Sequence, residues 1–515
     1  MKKPIVVTSS LICIFLTAFL LYLALNVGLT FLFKTPITLI SVLVSTHILA
    51  ILWSFVILGN KKRRIETRIR WTIYICLVPF FGIVSYLFFG RPYKYKKNKL
   101  YKYKNDKHSN LMNIQNSFEN LSDLTKQSPQ FKRAFISSLK QQNQNIYKNF
   151  KVDFLKNGND YVQTLLSELK KAKRYILINM FIIEESEFLD RVSEILIKKL
   201  KEGVEVYIIY DFLGCYNQFR RTKKKLKLAG AKMLGYSPVH FPFIVWKANY
   251  RNHRKDIVID GFYGFVGGIN IGDGYCNIGS KFGYWNDSAY KISGEVVKEI
   301  ENIFIRDWNF YSKKKIDNLS WKTTFHEKIE NNQKEFIQVV ANGPNHPRST
   351  HLDVLLSLIN SAQKSIWIKT PYFIPPPELL DALCLAANSG LDVRLMIPGK
   401  TDKFMILDVS KSRTKKLFES KGKIYSLNNT FLHEKTFIFD DSISFVGTTN
   451  LDYRALFSDQ QTMVLVKSEE LNKKLKNKME HDFNIAYKYS KVPLKHAKPL
   501  KRLIIKIFNA IAPIL

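Results

Sequence analysis

The chain reads HRKDIVID at residues 253–260 and HEKTFIFD at residues 433–440. Both octets fit the pattern His-x-Lys-x-x-x-x-Asp, and each is followed by a related run, FVGGIN at 265–270 and FVGTTN at 445–450. Every matching position is separated by 180 residues. Because a given histidine meets the short pattern by chance only about once in 200 trials, two copies with a shared downstream run indicate a duplicated half-site.

The spacing within each octet has a geometric meaning. Residues 257–259 and 436–439 are apolar or β-branched and are predicted to form strands. Side chains two apart on a strand point to the same face, so the histidine and lysine of one octet can reach one phosphate. The aspartate closes the strand and is expected to be structural or polarising rather than chemical. The catalytic set predicted from the pattern is His253, Lys255, Asp260, His433, Lys435 and Asp440.

The runs after the octets add supporting candidates. Gly267, Gly268 and Gly447 allow the backbone to approach other groups closely. Asn270 and Asn450 end the two runs, and an amide there can hydrogen-bond a phosphate oxygen or position a histidine. We expect both asparagines to belong to the site.

Two stretches of the chain repeat a strand–helix–strand order. The predicted elements are 175–183, 188–201 and 204–211 in the first stretch, and 365–373, 377–388 and 391–398 in the second. Gly203 and Gly390 are the predicted helix stops. This order predicts an α/β fold with two sandwich repeats, each a parallel or mixed sheet flanked by helices. A pseudo-twofold axis between the repeats would bring the two half-sites together.

Such a convergence would be suited to phosphoryl chemistry. One neutral histidine can attack phosphorus while the other, protonated, donates to the leaving oxygen. The two lysines supply fixed positive charge where negative charge builds in the transition state. The expected intermediate is a phosphohistidine, and no metal or other cofactor is expected because the lysines neutralise the charge.

Composition restricts the partners. The formal net charge is +36, from 79 Lys+Arg against 43 Asp+Glu, which indicates a polyanionic neighbour, either nucleic acid or an anionic membrane. The five cysteines are odd in number and lack paired spacing, so neither a disulfide framework nor a structural metal site is indicated. Reduced thiols in a domain facing the cytoplasm are the expectation.

The N-terminal region is strongly apolar. Residues 4–33 and 35–60 are each long enough to cross a bilayer, which needs about 20 apolar residues. A third apolar segment, 71–89, is interrupted by Pro79 and Gly82, which favours a re-entrant or interfacial hairpin. The basic stretches that flank this segment, at 61–70 and 91–107, would then both lie on the cytoplasmic side.

The C-terminal segment is both basic and apolar. Residues 495–515 are predicted to form an amphipathic helix that either lies on an anionic bilayer or packs on the catalytic core. The expected divisions are a membrane region 1–90, a basic linker and helical region 91–150, the repeats 151–330 and 331–494, and the helix 495–515. A multi-pass protein of a bacterial cell membrane, with its catalytic domain on the cytoplasmic face, is expected.

The duplicated motif resembles the phospholipase D superfamily, and its surroundings resemble bacterial cardiolipin synthases. The residues that carry this likeness are NYRNHRK at 249–255, GGINI at 267–271, WND at 285–287, TPYFIP at 370–375 and GTTNLDYR at 447–454. The segment 71–91 is similar to that family's second membrane segment. The resemblance covers residues from about 60 to the end of the chain.

The resemblance implies a reaction in which two phosphatidylglycerols give cardiolipin and glycerol. His253 would be the nucleophile and His433 the general acid, although the reverse assignment is open. Asp287 matches the acidic residue that supports the first histidine in the family. Two positions depart from the family pattern: Ala455 replaces a serine, and Gln461 replaces the glutamate expected to brace the second histidine. Asp459, two residues away, is the candidate to take over that role.

The sequence leaves three alternatives open. Water or another alcohol could be the acceptor, which would give a phospholipase D hydrolase or a different phosphatidyltransferase. A nuclease of the same superfamily would suit the charge, but the apolar segments argue against a nucleic-acid partner. A weakly active scaffold that binds anionic lipid would account for Ala455 and Gln461, while both intact His-Lys pairs oppose it.

Overall fold

The computed structural model describes residues 36–60, 63–90, 107–239, 249–279, 283–316, 329, 334–345, 348–401, 405–494 and 497–511. The chain divides into two compact units. The smaller unit takes in the described residues of Met1–Lys94, Ser237–Tyr250 and Asn509–Leu515, and the larger those of Tyr95–Tyr236 and Arg251–Phe508.

The smaller unit is built from helices. They are α1 (Pro36–Leu58), α2 (Ile65–Leu77), α3 (Pro79–Ser85) and a π-helical turn at Tyr86–Gly90. The apolar segment 71–89 is thus broken at Val78, because Pro79 begins a new helix. Helix α3 folds back on α2 so closely that a Cβ at Gly82 would lie 2.6 Å from Cα of Ile75.

The expected membrane spans are only partly within the described residues. The segment 4–33 lies outside them, while 35–60 corresponds to α1. Across the part of the chain that the structure describes, no helix is both long enough and apolar enough to span a membrane.

Two further helices, α4 (Lys107–Gln127) and α5 (Lys132–Gln142), precede the first sheet and are joined through a 3-10 turn at Pro129–Phe131. Their buried apolar side chains, among them Leu124 and Phe135, belong to the same core cluster as Phe336 of the second repeat. The helical part of the region 91–150 therefore packs on the second repeat rather than on the first.

The first repeat is a seven-stranded sheet with its helices. Its elements are β1 (Phe150–Leu155), α6 (Gly158–Lys171), β2 (Tyr175–Met180), α7 (Glu187–Lys201), β3 (Glu205–Asp211), α8 (Arg220–Leu228), β4 (Lys232–Tyr236), β5 (Lys255–Ile259), β6 (Tyr263–Gly267), β7 (Tyr284–Asn286), β8 (Ala289–Gly294) and α9 (Val297–Tyr311). The strand order is β1-β8-β6-β5-β2-β3-β4, with β7 outside this sheet. Strands β2, β3 and β4 are parallel and the other pairs antiparallel, so the sheet is mixed.

The second repeat has the same plan. Its elements are β9 (Phe336–Asn342), α10 (Thr350–Ser361), β10 (Ser365–Lys369), β11 (Phe373–Ile374), α11 (Pro377–Asn388), β12 (Asp392–Pro398), α12 (Ile406–Glu419), β13 (Lys423–Leu427), β14 (Thr430–Leu432), β15 (Thr436–Phe439), β16 (Ile443–Gly447), β17 (Leu451–Asp452), α13 (Tyr453–Phe457), β18 (Gln461–Lys467), α14 (Glu469–Ile485) and β19 (Tyr487–Lys488). Helix α15 (Pro499–Ile511) follows.

The second sheet, β19-β13-β12-β10-β15-β16-β18-β9, repeats the first strand for strand and adds β19 at one edge. The predicted α/β fold with two mixed-sheet repeats is confirmed. Strands β2 and β10 are buried at every position, which agrees with the mostly apolar residues from which both were predicted. The predicted strand 175–183 ends early, at Met180, because Met180 pairs with Lys255, the first residue of the neighbouring β5.

Contacts between the repeats position the site. Outside the two large sheets, β7 of the first repeat pairs in parallel with β14 of the second, so that Phe431 lies opposite Trp285. A shared core cluster also contains residues of both sheets and of α9 and α14, including Val258, Ile438 and Phe304. The residues just before β5 and β15 therefore lie where the repeats meet.

Candidate active site

Each motif histidine is attached through its backbone to the opposite repeat. His253 lies two residues before β5, and its N–H donates to the carbonyl oxygen of Gln460 at 2.9 Å. His433 precedes β15, and its N–H donates to the carbonyl oxygen of Asn286 at 2.8 Å. This reciprocal attachment means that neither half-site is complete within one repeat.

The side chains are braced reciprocally as well. Nδ1 of His433 lies 2.6 Å from Oδ2 of Asp287, a residue of the first repeat. Nδ1 of His253 lies 3.1 Å from Oε1 of Gln461, a residue of the second repeat. The expectation that Asp287 supports the first histidine is therefore wrong. Pairing of β7 with β14 carries the end of β7, and with it Asp287, to His433 of the other repeat.

The two lysines lie beside their histidines, as the spacing predicted. Nζ of Lys255 donates to the carbonyl oxygen of His253 at 2.8 Å, and Lys435 donates in the same way to His433. Both lysines are buried. Burial, reinforced by the charge of Lys435, holds the pKa of Lys255 well below its usual value. A positive group of one repeat thus acts directly on the site of the other.

Charged groups of both half-sites affect the pKa of His253. Burial lowers the pKa of His253 well below 6.5, and the charges of Lys255, Lys435 and His433 lower it further. The hydrogen bond to Gln461 opposes this shift. His253 is consequently held as a neutral imidazole, the form that a nucleophile requires.

Aromatic rings cover both histidines, and sequence reasoning missed two of them. The ring of Phe181 lies 4.7 Å from that of His253, and Nζ of Lys255 lies 5.1 Å from the centroid of the same ring. His433 is flanked by Trp285 at 5.0 Å and Phe431 at 5.6 Å. Trp285 belonged to the quoted WND run. Phe181 carried no signal beyond its place in the predicted strand 175–183, and Phe431 none beyond its place just before the second motif.

Asp260 and Asp440 lie at the far ends of the motif strands. At about 3.3 Å per residue, Asp260 is about 16 Å along the chain from Lys255. Its carboxylate accepts hydrogen bonds from the backbone N–H groups of Lys173, Arg174 and Tyr175, at 2.7–2.9 Å. Asp440 accepts the equivalent bonds from Gln363, Lys364 and Ser365. This geometry gives both aspartates a structural role and does not bring them to the histidines.

The two asparagines follow strands β6 and β16. Oδ1 of Asn270 accepts a hydrogen bond from the backbone N–H of Ile182 at 3.1 Å, which ties the end of the run to the chain after β2. Asn450 is buried, and its Oδ1 has no hydrogen-bond partner among the residues that the structure describes. The unsatisfied oxygen of Asn450 is thus the better candidate to meet a substrate or an ordered water.

Asp459 does not replace the missing acidic brace. Its Oδ2 lies 3.2 Å from Nε of Arg454, so its carboxylate pairs with that guanidinium instead of a histidine. Burial raises the pKa of Asp459 to about 6 against the opposing charge of Arg454. Ala455 is buried in the short helix α13, and its N–H donates to Oδ1 of Asp452, which caps that helix.

The residue between histidine and lysine is charged in both motifs and was not singled out from the sequence. Arg254 is fully buried and lies 2.9 Å from Oδ2 of Asp307. Glu434 is also buried; Nζ of Lys369 lies 3.1 Å from its Oε2, and Lys478 pairs with the same oxygen. The residue between histidine and lysine is thus positively charged in the first motif and negatively charged in the second, and each is held in a buried ion pair. In the described ranges, no group of His, Cys, Asp and Glu is arranged to hold a metal ion.

Comparison with known proteins agrees with this geometry. A family model described as "Cardiolipin synthase, PLD-like domain" matches residues 165–308 and 355–483, and one described as "Phospholipase_D-nuclease N-terminal" matches residues 48–91. A cardiolipin synthase of Alkalihalophilus pseudofirmus is 32% identical over 437 residues, covering 85% of this chain and 86% of the relative. Cardiolipin synthase 1 of Bacillus anthracis is 31% identical over 529 residues and covers 100% of both chains.

A solved structure gives the same answer for the fold. Phosphatidylserine synthase of Haemophilus influenzae superposes with a TM-score of 0.56 at 15% sequence identity, covering 74% of this chain and 100% of that one. At this identity the likeness concerns the fold alone. With over half of the residues matched by the family model and two relatives above 30% identity, the chain belongs to the family of cardiolipin synthases with PLD-like domains.

Proposed function

We propose that this protein is a phosphatidyltransferase that converts two phosphatidylglycerols into cardiolipin and glycerol. The observation that carries the proposal is the pair of histidines, each braced by the opposite repeat, with two buried lysines beside them. The names of the relatives support the choice of lipid substrate.

In the first half-reaction, Nε2 of His253 attacks the phosphorus of one phosphatidylglycerol. The N–P bond forms as the bond from phosphorus to the glycerol oxygen breaks, and protonated His433 gives its proton to that leaving oxygen. Glycerol departs and a phosphatidyl group remains on His253. Lys255 and Lys435 stabilise the charge that builds on the phosphoryl oxygens.

In the second half-reaction, the hydroxyl group of another phosphatidylglycerol attacks the same phosphorus. His433, now neutral, takes the hydroxyl proton, the N–P bond breaks, and cardiolipin leaves. The unequal braces support this division of roles. Asp287 carries the negative charge that stabilises a protonated His433, while the amide of Gln461 is neutral and favours an uncharged His253.

The supporting residues have separate roles in this scheme. Asn450 is proposed to hydrogen-bond the substrate phosphate, since its buried Oδ1 lacks a partner within the described ranges. Asn270 positions the backbone after β2 through Ile182. Asp287 braces His433, and Asp260, Asp440 and Asp459 act through structure.

The test uses the purified full-length protein in detergent with radiolabelled phosphatidylglycerol. Cardiolipin and free glycerol in equal amounts are expected. His253→Ala and His433→Ala should each abolish both products, while His481→Ala, an exposed histidine on α14, should retain full activity. Phosphatidic acid as the sole product would instead identify a hydrolase. Absence of turnover in the wild type would favour the scaffold.

We further propose that residues 1–90 anchor the protein in the bacterial cell membrane, with the catalytic repeats on the cytoplasmic face. The apolar runs of the sequence support this, as do the apolar side chains of α1 and α2 that are more than half exposed, such as Phe55, Val56 and Leu77. Cysteines introduced at positions 65 and 100 should be labelled from the same, cytoplasmic side. Labelling from opposite sides would contradict the hairpin.

Helix α15 is proposed to lie on the anionic bilayer surface. Leu500, Leu503 and Ile507 are more than half exposed on a helix that also carries basic residues, while Ile505 is buried. Electrostatic attraction to anionic lipid weakens with salt. A protein truncated to residue 91 onward should therefore dissociate from phosphatidylglycerol vesicles as ionic strength rises, and salt-independent binding would contradict this role.

A further inference from the structure

Gln461 makes two contacts through one atom. Its Oε1 lies 3.1 Å from Nδ1 of His253 and 2.6 Å from Oγ1 of Thr448. The side chain is fully buried, and its Nε2 has no hydrogen-bond partner among the residues that the structure describes. As these contacts show, the amide oxygen faces the histidine and the amide nitrogen points away from it.

The direction of this amide decides the chemistry of His253. An amide oxygen accepts a proton from Nδ1, which leaves the lone pair on Nε2 free to attack phosphorus. If the amide were turned over, its N–H would donate to Nδ1, the imidazole proton would move to Nε2, and the nucleophilic lone pair would be lost. A carboxylate has no such choice, because both of its oxygens accept.

The hydroxyl group of Thr448 supplies the direction. Its Oγ1 accepts a hydrogen bond from the backbone N–H of Thr462 at 2.9 Å, so its single proton remains available to donate. That proton faces Oε1 of Gln461 at 2.6 Å and the carbonyl oxygen of Thr462 at 3.1 Å, and the shorter contact goes to the glutamine. Donation along this shorter contact places the amide oxygen of Gln461, an acceptor, opposite the hydroxyl group.

The first repeat lacks this arrangement. Gly268 holds the place of Thr448 there, and a Cβ at Gly268 would collide with Oδ1 of Asp287. A carboxylate brace thus lies against a glycine in one repeat, and an amide brace lies against a hydroxyl group in the other.

We infer that Thr448 is a positioning residue that orients the amide of Gln461 and thereby fixes the Nδ1-protonated, nucleophilic tautomer of His253. The inference rests on the proposed function, in which His253 attacks phosphorus. It assigns a chemical reason to a threonine in this position when the brace is glutamine rather than an acid.

The experiment is a double-mutant cycle in the full-length protein, measured as cardiolipin formed from phosphatidylglycerol. Thr448→Val should lower kcat by about 100-fold, within the range for loss of a correctly protonated catalytic group. Thr448→Ser keeps the hydroxyl group and should stay within about threefold of wild type. In a Gln461→Glu background, Thr448→Val should cost about threefold or less, because neither end of a carboxylate is a donor.

A merely structural role for Thr448 predicts a different pattern. Thr448→Val would then reduce kcat by the same factor in both backgrounds, and that result would overturn the inference. A second readout is the nitrogen-15 spectrum of labelled histidine, assigned by comparison with His253→Ala. The His253 proton should move from Nδ1 to Nε2 in Thr448→Val, and an unchanged tautomer would also overturn it. If Gln461→Glu is too slow to measure, this spectrum decides alone.

Different results would contradict the proposed function and the role of Thr448. A wild type that forms no cardiolipin, or a His253→Ala variant that remains active, would contradict the proposed function. A wild type with full activity and a dead His253→Ala variant, combined with equal losses in the cycle, would contradict only the role of Thr448.

Discussion

Asp287 and Gln461 hold equivalent places in the two repeats and differ by one charge. Each follows a residue whose carbonyl oxygen accepts a hydrogen bond from the backbone N–H of a motif histidine, Asn286 for His433 and Gln460 for His253. A negative brace stabilises a protonated imidazole, whereas a neutral amide does not. This difference in charge supports the proposed roles, a protonated His433 as acid and a neutral His253 as nucleophile.

The role of Asp287 can be tested by removing its charge alone. Asp287→Asn should lower kcat by about 10²- to 10⁴-fold, the usual range for a misplaced or wrongly protonated acid–base group, with a smaller change in KM. The matched control is Asp459→Asn, which alters a buried carboxylate that pairs with Arg454 and should stay within a few fold of wild type. Equal losses in the two variants would argue against a specific brace.

The same carboxylate predicts a pH dependence. Burial raises the pKa of Asp287 to about 6, with the charge of Lys435 opposing the shift. As the pH falls through about 6, the carboxylate gains a proton and the brace loses its charge, so kcat should fall there. The pKa of His253 lies well below 6.5, so its neutral form persists in this range. In Asp287→Asn, the residual kcat should no longer fall as the pH drops through about 6. A variant whose pH profile keeps the wild-type fall would show that Asp287 is not its cause.

At the level of elements, the motif strands are held by the aspartates at their ends. Asp260 and Asp440 both have positive φ, 52° and 51°, at the turn that follows β5 or β15. Each carboxylate accepts hydrogen bonds from three backbone N–H groups of the segment that leads into β2 or β10. The aspartates therefore belong to the motif because they fix the end of the strand that carries the histidine and lysine.

Substitution by asparagine isolates this structural effect, because asparagine tolerates positive φ. Asp260 is buried, so Asp260→Asn should lower the free energy of unfolding by about 2 kcal/mol. Asp440 is only half-buried, and Asp440→Asn should cost about 1 kcal/mol. Unfolding by denaturant in detergent measures both. The kcat of the folded fraction should remain within a few fold of wild type. A large loss of kcat at unchanged stability would instead indicate that the aspartates take part in catalysis.

At the scale of the whole molecule, two sheets of the same strand order share an apolar core, and a few buried polar groups join them as well. Arg254 pairs with Asp307 of its own repeat and donates to Oε1 of Gln460 and Oγ1 of Thr462, each at 2.9 Å, in the other repeat. It also donates to the carbonyl oxygen of Gln461. The same side chain therefore joins the repeats and holds the strand that carries the brace of His253.

Removal of this guanidinium should be costly. Arg254→Met leaves the buried carboxylate of Asp307 without its guanidinium, although Asn179 still donates to it at 3.2 Å, and should destabilise the protein by about 3–5 kcal/mol. Arg254→Met combined with Asp307→Leu removes both charges and should recover most of that loss. The surface control is Arg348→Met, which breaks an exposed pair with Asp353 and should cost less than about 1 kcal/mol. Thermal unfolding in detergent measures the stability of all three variants. If the double variant is no more stable than Arg254→Met, the cost of burying an unpaired charge is not the main cause of the loss.

Much of the molecule was predictable at this scale. Continuous apolar runs, glycine helix stops and the duplicated octet together predicted two mixed-sheet repeats, and helix α11 (Pro377–Asn388) has the predicted bounds. The residues His253, Lys255, His433 and Lys435 were predicted from spacing alone, and they lie together where the repeats meet. The membrane region stays a prediction.

The sequence by itself determined the two half-sites, because a strand's alternation puts histidine and lysine on one face without help from the rest of the chain. Only the tertiary structure decided which brace serves which histidine, since Asp287 and Gln461 each act across the contact between repeats. It also decided the part played by Thr448, because a hydroxyl group directs an amide only when folding brings both to the same buried place.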